Sequence, residues 1–132
     1  MLFEDLDWFK RVNDTHGHLC GSRTLVEAAA LIRGCARESD VVARYGGDEF
    51  VLVLPDTPSE GAVVVARRVR DRLAAFRFLQ ALNLNVRLTA SVGVASLPDV
   101  TLVPEDLLRA ADEAMYRVKE RGKNDVILAT RA

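Results

Sequence analysis

The sequence predicts an α/β sandwich: a mostly antiparallel central sheet with helices packed on it. Three observations lead there. Short segments at 2–7, 41–45, 50–54, 86–95 and 126–129 have the length, apolar content and boundaries of strands. Longer segments between them carry apolar residues at helical spacing. A Gly46-Gly47 pair joins two of the strand segments and predicts a β-hairpin whose turn takes positive φ angles. The resulting order is β-α-β-β-α-β-α-β. With 132 residues, 49% of them apolar, the chain suits a single domain over 1–132 with a core of its own.

Leu2 to Asp7 is the first strand, although Glu4 is a poor occupant of a buried one. Phe9 to Ser22 is polar and reads as a loop or a broken helical turn. From Ser22 onward the spacing of Leu25, Ala28, Ala29, Ile32 and Cys35 predicts a helix, which Ser22 is suited to cap. "TPSE" at 57–60 predicts another helix start, with Thr57 as cap, Pro58 at the first helical position and Glu60 closing a capping box. Its buried face would be Ala62, Val65, Ala66, Val69, Leu73 and Phe76. Val86 to Ala95 alternates as a half-buried strand. Pro104 opens the last helix, Leu107, Leu108, Ala111, Ala114, Met115 and Val118 form its apolar stripe, and Gly122 ends it.

A formal charge of −1 argues against a nucleic-acid binder driven by phosphate neutralisation. Cys20 and Cys35 lack CxxC spacing, read as small apolar fillers, and predict a reduced, cytoplasmic setting. The N-terminal "MLFEDLDWFK" is acidic where a secretory signal is basic, and no apolar run is long enough to span a bilayer. His16 and His18 have no third ligand at a spacing that suits a transition metal. Trp8 and Phe9 read as packing residues, Phe9 the more buried.

The chemistry concentrates at two places. Asp5 and Asp7 end the first strand, and Asp48 and Glu49 sit on the hairpin turn. If the hairpin pairs with the first strand, three or four carboxylates converge at one edge of the sheet. An isolated Asp-Glu pair is most simply a solvated turn. With Gly-Gly before it, an apolar strand after it and Asp-Leu-Asp upstream, a cation site is the better reading. Hard oxygen ligands suit Mg²⁺ or Mn²⁺, and pairs of such ions serve phosphoryl and nucleotidyl transfer.

Four segments together resemble one family. "RYGGDEF" at 44–50 resembles the motif that names the GGDEF domains, the diguanylate cyclases. "DLDWFKRVNDTHGHLCG" at 5–21, "SVGVA" at 91–95 and "ADEAMYRVKERGKNDV" at 111–126 resemble that family's other conserved segments, in the family's order. The resemblance implies two divalent metals per active site, Mg²⁺ or Mn²⁺, bound by Asp5 and Asp48 with help from the Leu6 main-chain carbonyl. Glu49 would lie near the metals and the attacking group. Lys119 and Lys123 would hold the β and γ phosphates, although cations at a helix C-terminus also complement its dipole. The backbone N–H groups of Phe9 and Lys10, with the Lys10 side chain, would cradle phosphate, and Asn13 would bond the guanine edge. In the implied reaction a 3′-hydroxyl attacks the α-phosphate of a second nucleotide and releases pyrophosphate. Two such steps close a ring, so two domains, each with one GTP, must face each other as a homodimer.

"RESD" at 37–40 is similar to the family's inhibitory R-x-x-D site, where Arg37 and Asp40 would bind the product cyclic di-GMP. Read without the family, it is a surface ion pair ending a helix. Arg67, Arg68 or Arg70 could join it, and the sequence does not choose among them. Two departures stand out. The family carries a D-x-L-T-G-L-x-N-R helix before the first strand, so the resemblance predicts a domain truncated at its N-terminus. Ser22 stands where the family has an aspartate that reads guanine N1–H and N2–H₂. A serine hydroxyl can donate or accept and does not repel adenine N1. In this respect the chain resembles the hybrid, promiscuous subset that makes cyclic AMP-GMP from GTP and ATP. Two other readings stand beside the cyclase: a non-catalytic receptor for cyclic di-GMP, and a dimerising output module with a vestigial nucleotide site.

Overall fold

The structure is a computed structural model and describes residues 1–97 and 103–130. The chain runs β1 (Leu2–Asp7), α1 (Phe9–His16), α2 (His18–Gly34), β2 (Val41–Arg44), β3 (Glu49–Val53), α3 (Ser59–Ala75), a 3₁₀ turn (Gln80–Leu82), β4 (Thr89–Val94), α4 (Pro104–Glu120) and β5 (Val126–Leu128). The sheet order is β2-β3-β1-β4-β5, and every pairing is antiparallel except β4 with β5. The predicted fold class is the observed one.

β1 is the central strand, and its alternation separates two cores. Leu2 and Leu6 join Phe50, Leu52, Ile32, Val69 and Leu73 in the larger core, under α2 and α3. Phe3 joins Val51 with Ala111, Ala114 and Met115 in the smaller one, under α4. Asp5 and Asp7 alternate with Phe3 and therefore point to the α4 side, whereas Glu4 points into the larger core, fully buried with neither carboxyl oxygen hydrogen-bonded.

Local departures from the expectations have local causes. The polar stretch 9–22 is helical, interrupted only at Gly17, whose φ of 89° is left-handed territory. α2 therefore begins at His18, and Ser22 lies inside it rather than capping it. Pro58, not Thr57, is the N-cap of α3, and no side chain caps that end. The Thr57 hydroxyl is engaged elsewhere, accepting from Arg37 Nη2 at 2.8 Å and donating to the Pro55 carbonyl at 3.0 Å. The strand expected over 86–95 is shorter because Val86 turns away to pair with Phe78 (N···O 2.8 and 3.1 Å) across the 3₁₀ turn. Gly122 ends α4 as expected, with φ 110°.

Candidate active site

The hairpin docks on β1 in a register that makes Asp5 and Glu49 direct partners. The Leu6 N–H then donates to the Asp48 carbonyl at 3.1 Å, so the acidic tip lies against the end of β1. Neither Gly46 nor Gly47 has positive φ, contrary to expectation. A Cβ at Gly46 would meet the Glu49 carboxylate, the far end of a flexible side chain that a substitution would push aside. The turn is closed by Arg44, whose guanidinium donates to the carbonyls of Gly46 (3.1 Å) and Gly47 (2.9 Å). Sequence reasoning passed over Arg44; its place in "RYGGDEF", next to carbonyls the turn leaves unpaired, was the available signal.

The four carboxylates do not behave alike. Burial pushes Asp5 up to about 7; the Lys119 ammonium opposes the shift, while the Asp48 carboxylate adds to it by charge and by a hydrogen bond. Glu49 is also raised, by burial first and then by Asp48 and Asp112, against Lys119. Asp7 goes the other way. Burial would raise it, but hydrogen bonds from Lys119, Thr89 and Ser91 and the lysine charge outweigh that and hold it below the usual range. Asp7 is completely buried. It accepts from Lys119 Nζ (2.6 Å), Thr89 Oγ1 (2.6 Å), Ser91 Oγ (2.7 Å) and the Asn124 N–H (3.0 Å). It is a structural hub facing inward, and Asp5 and Asp48 remain as the outward pair.

Among the described residues, no three carboxylate, imidazole or thiol groups form a ready-made metal cage. Mg²⁺ does not need one, since it is commonly held by one or two carboxylates, waters and substrate phosphates. The Asp5–Asp48 pair is a set of hard-oxygen donors in which the Asp48 carboxylate adds to the cost of ionising Asp5, and such a cation would relieve it. Lys119 lies 3.4 Å from Asp5 as well as bonding Asp7, so it stands at the floor of this pair.

Asn13 and Ser22 line one pocket of about 200 Å³, with Phe9, His18, Leu25, Arg44 and Gly47. α1 supplies Phe9 and Asn13, α2 supplies His18, Ser22 and Leu25, and the hairpin supplies Arg44 and Gly47, beside Asp48. Phe9 and Lys10 open α1, where backbone N–H groups lack helical partners and favour anions. Lys123 follows α4 in a left-handed conformation (φ 69°).

Arg37 and Asp40 do pair, with the Arg37 side chain exposed and the Asp40 carboxylate beneath it. Asp40 is buried. Its carboxylate accepts from the Arg37 backbone N–H (2.7 Å) and from Arg37 Nη2 (3.1 Å). Burial would raise Asp40, yet these bonds and the charges of Arg37 and Arg33 hold it below the ordinary value. Arg70 is committed to Asp71 (2.9 Å) and Asp125 (3.1 Å). The Arg72 charge, and after it that of Arg68, acts on the Cys35 thiol, just past the C-terminal end of α2.

The family profile described as "Diguanylate cyclase, GGDEF domain" matches residues 1–125. Diguanylate cyclase A of Treponema denticola is 36% identical over 129 residues, covering 98% of this chain and 34% of that protein. The response regulator PleD of Caulobacter vibrioides is 40% identical over 129 residues, covering 96% of this chain and 28% of that one. The crystal structure of the GGDEF domain of YfiN from Pseudomonas aeruginosa superposes with a TM-score of 0.90 at 38% identity, over 99% of this chain and 81% of that one. The coiled coil and GGDEF domain of DgcB from Caulobacter crescentus, solved in complex with c-di-GMP, gives 0.86 at 27% identity, over 97% and 68%. This chain thus spans about a third of the length of the curated relatives it matches. By its sequence, its sheet order and the docking of its acidic turn on β1, the chain belongs to the GGDEF domain family of diguanylate cyclases.

Proposed function

We propose that this chain is a single GGDEF domain that works as a nucleotidyl cyclase, two copies facing each other and condensing two purine nucleoside triphosphates into a cyclic dinucleotide with release of pyrophosphate. The observation that carries this reading is the Asp5–Asp48 pair, brought together where the acidic hairpin tip docks on the end of β1, beside the pocket shared by Asn13 and Ser22. Two Mg²⁺ or Mn²⁺ ions, held by Asp5, Asp48 and the Leu6 carbonyl, would neutralise the phosphates and acidify the attacking 3′-hydroxyl. Around them the chain positions and screens. The α1 N-terminus at Phe9 and Lys10 receives phosphate, Lys119 and Lys123 offset its charge, and Glu49 stands beside Asp5 near the attacking oxygen. Asn13 reads the guanine edge.

Ser22 broadens the choice of base. A neutral hydroxyl cannot hold two guanine donors as a carboxylate does, and it does not repel adenine N1. The products are therefore cyclic di-GMP from GTP and cyclic AMP-GMP from GTP with ATP. Cyclic di-GMP also binds back at Arg37 and Asp40, with Arg68, as a product brake; the relative DgcB was solved with that ligand. No helix among the described residues is long and apolar enough to cross a membrane.

The test is incubation with Mg²⁺ and GTP, ATP or both, with products resolved by mass. Cyclic dinucleotide with pyrophosphate supports the reading. No product, from a chain that still binds cyclic di-GMP, would make it a receptor instead.

A further inference from the structure

Trp8 is the only tryptophan in the chain and has the backbone of a glycine. Its φ of 68° is left-handed, which a bulky residue rarely adopts, and it is the N-cap of α1 without supplying a side-chain cap. Its ring is nearly half exposed, so core packing does not explain it. Two cations lie against that ring: the Arg11 guanidinium at 4.4 Å from its centroid and the Lys123 ammonium at 4.6 Å. Lys123 comes from the turn after α4, next to Asn124, whose N–H bonds Asp7. The indole thus joins the start of α1 to the end of α4, the two elements that flank the acidic floor.

We propose that Trp8 is a positioning residue for the phosphate-binding cations, holding Lys123 and Arg11 with their charges unspent where a triphosphate docks. The contrast with Lys119 carries the argument. Lys119 is neutralised by Asp7 and Asp5. Among the described residues, neither Lys123 nor Arg11 forms an ion pair with a carboxylate. A ring quadrupole restrains an ammonium without cancelling its charge, so the lysine loses rotamer freedom before the ligand arrives and stays attractive to an anion. A carboxylate in the place of the ring would restrain it equally and spend the charge. Arg11 becomes a further cation at this edge beside Lys10, Lys119 and Lys123, one that the motif did not single out. The inference rests on the nucleotide reading above.

The test uses the whole chain with Mg²⁺ and, as GTP throughout, the α,β-methylene analogue, whose bridge cannot be cleaved, so that no turnover occurs. In the free protein, the ring current should move the Lys123 ε-methylene protons upfield, and Trp8→Leu should return them to the ordinary position. Titration with GTP should change Trp8 emission saturably, and Lys123→Met should abolish that change. Trp8→Leu should weaken GTP binding roughly 3- to 10-fold, while Trp8→Phe, which keeps a π face and guards against a folding artefact, should retain most of it. Equal affinity of wild type and Trp8→Leu, or unmoved lysine protons, would overturn the proposal. If wild type binds no GTP while the lysine protons are still shifted, the nucleotide reading has failed and the Trp8 contact is structural only; this pattern separates the two failures.

Discussion

Lys119 lies 2.6 Å from Asp7 and 3.4 Å from Asp5, so one ammonium serves both a buried structural carboxylate and a site carboxylate. The floor of the candidate site is therefore held by the same charge that would offset substrate phosphate. Removing either partner has different consequences. Asp7→Ala leaves the lysine and two hydroxyls without their acceptor and should destabilise the fold by about 3–5 kcal/mol, measured by urea denaturation. A loss below 1 kcal/mol would show that Asp7 is not the hub its four bonds describe.

Asp5→Asn and Asp48→Asn should each abolish turnover and leave the fold intact, since each removes a charged ligand and no apolar contact. Circular dichroism checks the fold and product formation checks the site. Full activity in either variant would sink the two-metal assignment.

Glu4 makes stability depend on pH. Burial without a hydrogen-bond partner pushes its carboxyl up to about 8 from 4.5. The folded state then holds a proton that the unfolded state releases between those values, so stability falls as pH rises through that window. Glu4→Met removes this contribution, while those of the raised Asp5 and Glu49 remain in both proteins and cancel in the comparison. Its advantage over wild type should widen by on the order of 5 kcal/mol from below pH 4.5 to pH 8, as read from denaturation midpoints. An advantage that stays constant with pH would mean that Glu4 titrates normally.

At the RESD corner, structure and ligand binding can be separated. Arg37→Ala should weaken cyclic di-GMP binding and also destabilise the fold, because it strips the buried Asp40 of its counter-charge. Among the described residues Arg68 has no such partner to orphan, so Arg68→Ala should weaken binding alone, while Asp48→Asn should leave it unchanged. Calorimetric titration of the three variants checks this, and undiminished binding by Arg37→Ala would reduce the corner to a helix-end brace.

Ser22→Asp should restore a strict guanine preference. A hydrogen bond to a charged group contributes roughly 1.5–3 kcal/mol against about 1 for a neutral pair, so discrimination against ATP should rise about tenfold or more. Products formed from mixed GTP and ATP report it. Cyclic di-GMP alone from the wild type in a large excess of ATP would remove Ser22 as a specificity switch. The capping role that competed with that reading no longer applies, because Ser22 lies inside α2.

The sheet, its helices and the approach of Asp48 to Asp5 were legible because periodicity and a hairpin turn are local signals. What could not be read locally was partnership. Asp5 and Asp7 look alike two residues apart on one strand face, yet Thr89, Ser91 and Asn124 bond Asp7, and Lys119 lies closer to Asp7 than to Asp5. Thr57 had every local mark of a cap, and Arg37, twenty residues away, claims its hydroxyl instead. Glycine in the GG turn was anticipated for positive φ and for close approach, and neither Gly46 nor Gly47 uses a positive φ.

Asp7 also bears on how the domain is born. Its partners lie 82, 84, 112 and 117 residues downstream. On a chain made from the N-terminus, the GGDEF turn emerges when the lysine that supports its floor is still unmade. Contacts of such long range form late and as a unit. A nascent or prematurely ended chain carries Asp5 and Asp48 but has no assembled site until synthesis has passed Asn124.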